Sequence, residues 1–475
     1  HIATCPSIEV VVTYEQFVDI INRLRDSGVG SDSMLYSCWK FAHEDARIAL
    51  YEFYLHLLDN PLLDCEDEFL DSRLVFIQKG KVEPNQAGVL RRPPSKTRPL
   101  CLANTDMKIV SCLVSFIPSI ISNACICTLQ SGGIKGKQMI DLIFSLEAKI
   151  IEYIAHAIPN SGIFACDIAA AFPSLSRKYL FWILKRMSLP RKLRRIIRSL
   201  HKASKARICF KNLLFGFIDI LNGVKQGDPS AMLLFILGYD PLIRFIDFSL
   251  RFVDHLLLPF CDDLAIACTN VVAAWKIIID CFSLIKKMSL LALNLDKTQF
   301  LLTSSNTCSA NEADICRLDD SVTYGQFLRA IKYLGIFLGR DHAAANWAPV
   351  IHDYHAMSKF ISALDCGLLT KISLYNMLAI SKLSYIASFV IPNKAALAAE
   401  HRALQLLTRG PWNSFHPSLL KNARCLGMPT QAIDLMSLSF SSRVRVAHST
   451  SGNVLACHFL LYTSSAPAAL TLVVP

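Results

Sequence analysis

Two adjacent carboxylates set in an apolar run constrain this chain more than any other feature. The run is Leu258-Pro259-Phe260-Cys261-Asp262-Asp263-Leu264-Ala265-Ile266-Ala267. Strand formers flank the pair, so the pattern predicts a strand, a tight turn and a return strand. Carboxylates at a hairpin tip in apolar surroundings are costly to desolvate, and are tolerated when paired or when they hold a metal. No Lys or Arg lies between Arg251 and Lys276, so no neighbour in sequence neutralises them. A hard divalent cation, which takes carboxylate oxygens, fits that lack. For the pair alone, the competing reading is an Asp-Asp turn facing water.

A second acid upstream bears on the choice. Phe164-Ala165-Cys166-Asp167-Ile168-Ala169-Ala170-Ala171-Phe172 places one carboxylate at the end of another apolar, strand-like run, and the next acid is Asp219. If the two strands are neighbours in one sheet, Asp167 and the Asp262-Asp263 pair can share metals. Two cations about 4 Å apart, clamped by carboxylates, are the apparatus of in-line phosphoryl transfer.

These residues resemble the reverse transcriptases, and within them the polymerases of non-LTR (LINE-type) retrotransposons. Phe260-Cys261-Asp262-Asp263 is similar to the family's aromatic-x-Asp-Asp box. The Asp167 segment is similar to its first palm motif, with the aromatic Phe172 five residues on. Further motifs follow in the family's order over most of the chain. The resemblance implies an α+β right-hand polymerase. Its expected parts are an N-terminal helical extension (1–60), fingers (61–161), a palm with an antiparallel sheet (162–340), a helical thumb (341–445) and a tail of unclear structure (446–475).

Composition agrees with a nucleic-acid enzyme without proving one. The 475 residues suffice for two or three subdomains. Net charge is +11, a balance that favours an anionic partner. The 17 cysteines show no Cys-x-x-Cys pairs or finger spacing, which points to reduced, buried thiols. The uncharged stretch 109–134 carries Pro118 and polar residues and is read as a buried helix and loop, so no membrane partner is expected. The chain begins with His1, which suggests a piece of a longer polyprotein.

The remaining motifs are taken in chain order. Tyr14 to Leu24 has helical spacing, and Gly28-Val29-Gly30-Ser31-Asp32 stops that helix or forms the Gly-rich turn that precedes the polymerase in non-LTR elements. Arg73 to Gly80 predicts a strand, and the basic, Pro-rich 91–99 segment enters another. By resemblance, Arg98 contacts the incoming triphosphate with Lys96 as helper, a role suited to the bidentate guanidinium; a solvated loop is the alternative. Gln130 to Asp141 is a Gly-rich basic loop opening a helix. It resembles the template-contacting fingers motif, with Lys135 and Lys137 as nucleic-acid ligands. Between Asp167 and Asp219 stand thirteen cations and no acid, either a solvated face or a phosphate-binding one. Asn222 to Pro229 resembles the Gln-Gly-x-Pro motif, in which Gln226 and Gly227 line the nucleotide pocket. Ser230-Ala231-Met232 departs from the family's Leu-Ser-Pro and bears on nucleotide affinity or fidelity. Leu291 to Phe300 resembles the Leu-x-x-Asn-x-x-Lys-Thr motif, whose Lys297 sits near the triphosphate and protonates the leaving pyrophosphate, unless it is a plain surface lysine. Tyr333-Leu334-Gly335 resembles the primer grip, or is simply a hydrophobic hairpin.

The resemblance implies templated nucleotide addition. Asp167, Asp262 and Asp263 hold two Mg²⁺ ions (Mn²⁺ as a substitute), with the main chain near Ile168 completing the shell. The partners are an RNA template, a DNA primer or target, and dNTPs. Phe172, unless it is only core, excludes the ribose 2′-hydroxyl. Target-primed retrotransposition in the nucleus is the expected setting, with no oligomeric state implied. The alternatives are a group II intron or retron-type polymerase, and a decayed relic that binds nucleic acid without catalysis.

Overall fold

The computed structural model describes residues 2, 4, 11–60, 67–80, 93, 96–201, 204–211, 213–304, 308–340, 342–408 and 416–449, without the side chains of 67, 68, 117–124, 204 and 447–449. Most of the Pro-rich 91–95 segment and nearly all of the expected tail lie outside those residues. Ten strands are described: β1 (Ser72–Gln78), β2 (Thr97–Ala103), β3 (Gly162–Asp167), β4 (Ser204–Phe210), β5 (Leu213–Ile220), β6 (His255–Phe260), β7 (Asp263–Cys268), β8 (Gln299–Leu302), β9 (Ala330–Tyr333) and β10 (Ile336–Gly339). Helices fill most of the rest, so the class is α+β as expected.

The chain divides into two compact units, and neither is a contiguous range. The first comprises His1–Lys137, Cys166–Thr298 and Ala313–Val322; the second comprises Gln138–Ala165, Gln299–Glu312 and Thr323–Pro475. The division differs from the contiguous ranges expected from sequence. The expected palm range contributes to both units, and the N-terminal helices belong to the first. Strand pairing between distant segments produces this interleaving, and no composition shift marks it.

In the first unit, β2-β1-β4-β5 form a sheet with Leu74, Cys101 and Ala206 at its buried centre. β1 pairs antiparallel with β2 and parallel with β4. β5 leaves Leu213, Phe215 and Phe217 exposed, so it lacks the alternation by which strands are recognised. The Gly28–Asp32 turn is more than a helix stop. A Cβ on Gly30 would lie 2.5 Å from the Ala103 backbone, and Asp32 Oδ2 accepts from the Thr105 N–H at 2.9 Å. The turn therefore seats against the start of the Thr105–Cys125 helix, supplying an acceptor where helical N–H groups have none.

The Ala231–Ser249 helix is buried along most of its length, including Phe235, Ile236, Tyr239 and Ile243. Beside it the Val271–Ser289 helix buries Ala274, Trp275, Ile278 and Ile285, the i, i+3, i+4 stripe expected of a core-facing helix. In the second unit, β3 pairs with β8 in the register Gly162↔Leu302 to Ala165↔Gln299. The β9–β10 hairpin precedes a helical region centred on Trp347, Tyr354 and Tyr375, each fully buried. No helix among the described residues is long and apolar enough to cross a membrane.

Candidate active site

β6 and β7 pair from His255↔Cys268 to Phe260↔Asp263, leaving a two-residue turn of Cys261 and Asp262. Cys261 has φ 55°, the left-handed conformation that a tight hairpin requires at its first central position. A β-carbon normally resists that conformation, so the turn is held by its surroundings. Gln130 supplies part of the restraint: its side-chain oxygen accepts the Cys261 N–H at 3.2 Å and the Gly132 N–H at 3.0 Å. The Ser131 N–H donates to the Pro259 carbonyl at 3.3 Å. A Cβ on Gly132 would sit 2.3 Å from Cys261 Sγ and 2.4 Å from its nitrogen, so only glycine admits this approach. The Gly-rich loop thus forms the seat of the acidic turn. From sequence it was expected to touch template.

The strand order β6-β7-β3 brings the end of β3 beside the hairpin. Asp167, the last residue of β3, is 22% exposed. Three bonds from one segment hold it. The Asn294 N–H donates to the Asp167 carbonyl at 2.8 Å, Asn294 Nδ2 donates to Oδ2 at 3.2 Å, and Lys297 Nζ donates to the same oxygen at 2.5 Å. The bridge Ile168↔Leu293 and the bond from the Ala169 N–H to the Ala292 carbonyl at 2.8 Å extend that seam.

The three acids share one electrostatic environment. Burial raises the Asp262 carboxyl, the backbone hydrogen bond opposes this, Asp167 raises it further, and Lys297 and Arg98 pull it down. Burial first, then Asp262 and Asp167, push Asp263 up to about 6. Burial, followed by Asp262 and Asp263, pushes the Cys261 thiol up to about 12. Desolvation and mutual repulsion of acids are the two effects that a divalent cation relieves. The donor chemistry therefore fits divalent metal. As arranged here, Asp167 is paired with the Lys297 ammonium, and no cluster of three His, Cys, Asp or Glu side chains among the described residues has metal-holding geometry.

Arg98 lies on β2 opposite Ile77, exposed, and close enough to stabilise the Asp262 carboxylate. Lys96 stands just before β2 and is exposed. The Gln226 carbonyl accepts the Cys101 N–H at 2.8 Å. Gly227 has φ 105°, and a Cβ there would lie 2.5 Å from the Cys101 carbonyl oxygen. That turn is therefore strapped to the strand carrying Arg98. On its other side, the Val224 N–H donates to the Phe172 carbonyl at 2.9 Å. The Phe172 ring stacks on Phe235 with centroids 4.7 Å apart. Of the residues that depart from the family pattern, Ser230 donates to Asp228 Oδ1 through its N–H at 2.7 Å and its hydroxyl at 2.6 Å. Met232 Sδ lies 3.4 Å from Cys261 Sγ.

Other expected ligands sit elsewhere. Lys137 Nζ donates to the carbonyls of Thr128 and, at 2.8 Å, of Gln130, so it braces its own loop. Lys135 is exposed on that loop. Tyr333 and Gly335 belong to the second unit. There the turn Leu334-Gly335 has positive φ at both positions, and the Tyr385 hydroxyl donates to the Leu334 carbonyl at 2.5 Å.

Three residues that the sequence does not single out complete the scaffold. Gln130 holds the acidic turn. Asn294 stands inside a motif read for its lysine. The buried Arg177 guanidinium donates to the carbonyls of Gly223 at 2.9 Å, His201 at 2.5 Å and Ile220 at 2.7 Å. The only sequence signal for Arg177 is its place at the start of an amphipathic helix, which says nothing of its partners.

Residues 79–338 match the family described as Reverse transcriptase (RNA-dependent DNA polymerase). Among curated proteins, the chain is similar to the Retrovirus-related Pol polyprotein from type-1 retrotransposable element R2 of Nasonia vitripennis. The two are 25% identical over 224 residues, 47% of this chain and 20% of the relative. The matched region thus spans about a fifth of that relative's length. Among solved structures, telomerase from Candida albicans in complex with a TWJ fragment of telomeric RNA aligns with 91% of this chain and 76% of its own. Identity is 10% and the TM-score is 0.39.

Proposed function

The chain belongs to the reverse transcriptase (RNA-dependent DNA polymerase) family, and on that premise we propose that it extends a DNA primer along an RNA template as part of a non-LTR retrotransposon. The family's right-hand α+β fold accounts for the mixed helices and sheets. The observation that carries the activity is the meeting of Asp167 with the Asp262-Asp263 turn inside one compact unit, where Asp167 raises the cost of ionising both Asp262 and Asp263. The R2 similarity supports the non-LTR setting, and target-primed copying is the mode proposed within it.

The residues divide the work by chemistry. Asp167, Asp262 and Asp263 would hold two Mg²⁺ or Mn²⁺ ions, with the Ile168 main chain alongside, and the ions would supply Lewis-acid polarisation of the primer 3′-hydroxyl and of the triphosphate. Arg98, aided by Lys96, pairs with the triphosphate through its forked donors. The Gln226-Gly227 turn lines the nucleotide pocket, and the Phe172 ring bounds the sugar. Lys297 Nζ exchanges its Asp167 partner for the nucleotide's phosphates and delivers a proton to the departing pyrophosphate oxygen. Lys135, Lys137, Tyr333 and Gly335 are assigned to the template and primer strands.

Primer extension on an RNA template with Mg²⁺ tests the reading. The native chain incorporates dNTPs. Asp262→Ala lowers the rate by about 10³-fold or more, the loss expected when several kcal/mol of charge stabilisation disappear. Absence of extension by the native chain on both RNA and DNA templates, with strand binding intact, would favour the relic.

A further inference from the structure

The thirteen cations between Asp167 and Asp219 are not all a solvated face. Five of them line a single cleft. Lys178 and Lys185 of the Arg177–Arg186 helix and Arg194, Arg195 and Arg198 of the Arg191–Leu200 helix surround a cavity of about 500 Å³, with Phe181 and Trp182 in its wall. None of the residues assigned above to catalysis, nucleotide or template lines it.

Two properties separate this cleft from an ordinary charged surface. First, no acid among the described residues forms an ion pair with its cations. Among the described residues, the one ion pair formed by either helix is Lys192 with Asp59, outside the cleft. Arg194 spends its Nε on the Leu189 carbonyl at 2.8 Å. Five like charges around one concavity repel each other, and a polyanion relieves that repulsion with release of its own counterions. Second, the aromatics are displayed beside the charges. Trp182 is 47% exposed. The Arg186 guanidinium lies over the Trp182 ring at 5.4 Å, and that of Arg198 over Phe181 at 5.9 Å. An exposed indole held by cations among phosphate-binding arginines is the pairing that single strands use, with bases stacked and backbone neutralised.

We propose that this cleft is a second nucleic-acid site, which holds a single strand of RNA or DNA outside the polymerase centre by phosphate pairing to Lys178, Lys185, Arg194, Arg195 and Arg198 and by base stacking on Trp182. It goes beyond the polymerase reading and does not depend on it. A strand held there is tethered to the enzyme without passing through the catalytic residues.

The test uses the full chain and fluorescein-labelled 20-nucleotide oligo(U) and oligo(dT). The triple variant Lys178→Glu/Lys185→Glu/Arg198→Glu changes only exposed positions. It is expected to weaken binding more than tenfold at 100 mM salt and to reduce the slope of log K against log salt by about 2, since each lost phosphate contact removes about 0.7 for a single strand. Trp182→Ala weakens binding about fivefold or more, and Trp182→Tyr restores most of it, which a purely structural role for the ring would not predict. The triple variant still extends an annealed primer on an RNA template when the duplex is saturating, which separates this site from the polymerase reading. Equal losses for both oligonucleotides identify the strand backbone as the ligand; a larger loss for oligo(U) identifies RNA. Unchanged affinity and salt slope in the triple variant would overturn the assignment. So would displacement of the strand by polyglutamate as readily as by unlabelled oligonucleotide, which would make the surface a docking patch for acidic protein.

Discussion

Gly132 is the residue on which the acidic turn rests, because a methyl group there must occupy space already taken by Cys261. Cys261 is itself in a left-handed conformation, so the turn has little freedom to yield, and displacement of Asp262 is the easiest relaxation. Gly132→Ala is therefore expected to lower the extension rate at least tenfold while circular dichroism remains native. In steady-state kinetics the loss should fall on kcat more than on KM, since misplacing a catalytic carboxylate by a fraction of an ångström costs transition-state geometry first. Phe172 yields a second prediction at this scale. Its ring is propped by Phe235, so Phe172→Val removes bulk at the sugar without moving the 172 carbonyl that holds Val224. Ribonucleotide incorporation should rise at least tenfold relative to deoxynucleotide incorporation, measured in parallel extension reactions; an unchanged ratio removes Phe172 from sugar selection. The acids were legible because a charge in an apolar run is conspicuous in one dimension. Gln130 and Gly132 were read only as members of a template-contacting loop, because which backbone a glycine approaches is a fact of tertiary packing.

The elements around the Asn222–Pro229 turn are tied by buried polar groups whose protonation sets their stability. Arg177 gathers three carbonyls, and Lys225 Nζ donates to the Leu70 carbonyl at 3.2 Å. His201 is 2% exposed, with Nδ1 3.0 Å from the Ile197 carbonyl. Burial pushes the His201 imidazole down to about 4; Asp228 opposes this, while Lys225 and Arg177 reinforce it. In the unfolded chain the ring titrates near 6.5. The folded state thus holds it neutral across a range in which the unfolded state takes up a proton. The stability it contributes is complete above about pH 6.5 and is lost as pH falls toward 4. Replacing the ring by a neutral isostere removes this dependence, so His201→Gln should narrow the drop in unfolding free energy between pH 7 and pH 5 by on the order of 1–2 kcal/mol. Denaturant titrations at both pH values check it, and an identical drop in the variant rules out His201 as the source. The helices on either side were legible from their periodicity, with ends within a few residues. β5 was not, because a strand with apolar residues on both exposed faces has no period-2 signal to read.

At the scale of the molecule, β3 carries residues of both units: Gly162–Ala165 fall in the second and Cys166–Asp167 in the first, and the start of the strand is anchored within the second unit. That anchoring is aromatic: Phe164 and Phe300 face each other across the β3–β8 register with ring centroids 6.0 Å apart, and Phe300 stacks on Phe327 at 5.0 Å. No sequence pattern announced this interleaving, because each motif was read as a local box and the ranges assigned between boxes were contiguous. Phe300 is fully buried, and Phe300→Ala should cost about 3–5 kcal/mol through lost burial and the cavity left behind. Phe300 makes none of the contacts assigned above to metal, nucleotide or strand, so its removal should act through the folded population. The apparent melting temperature should fall by several degrees, with extension activity near native in the cold and lost on warming at the temperature where the variant melts. Asp262→Ala behaves in the opposite way, inactive at every temperature with its structure retained. If Phe300→Ala instead lost activity in the cold while fully folded, the start of β3 would have to position Asp167 more directly than through stability alone.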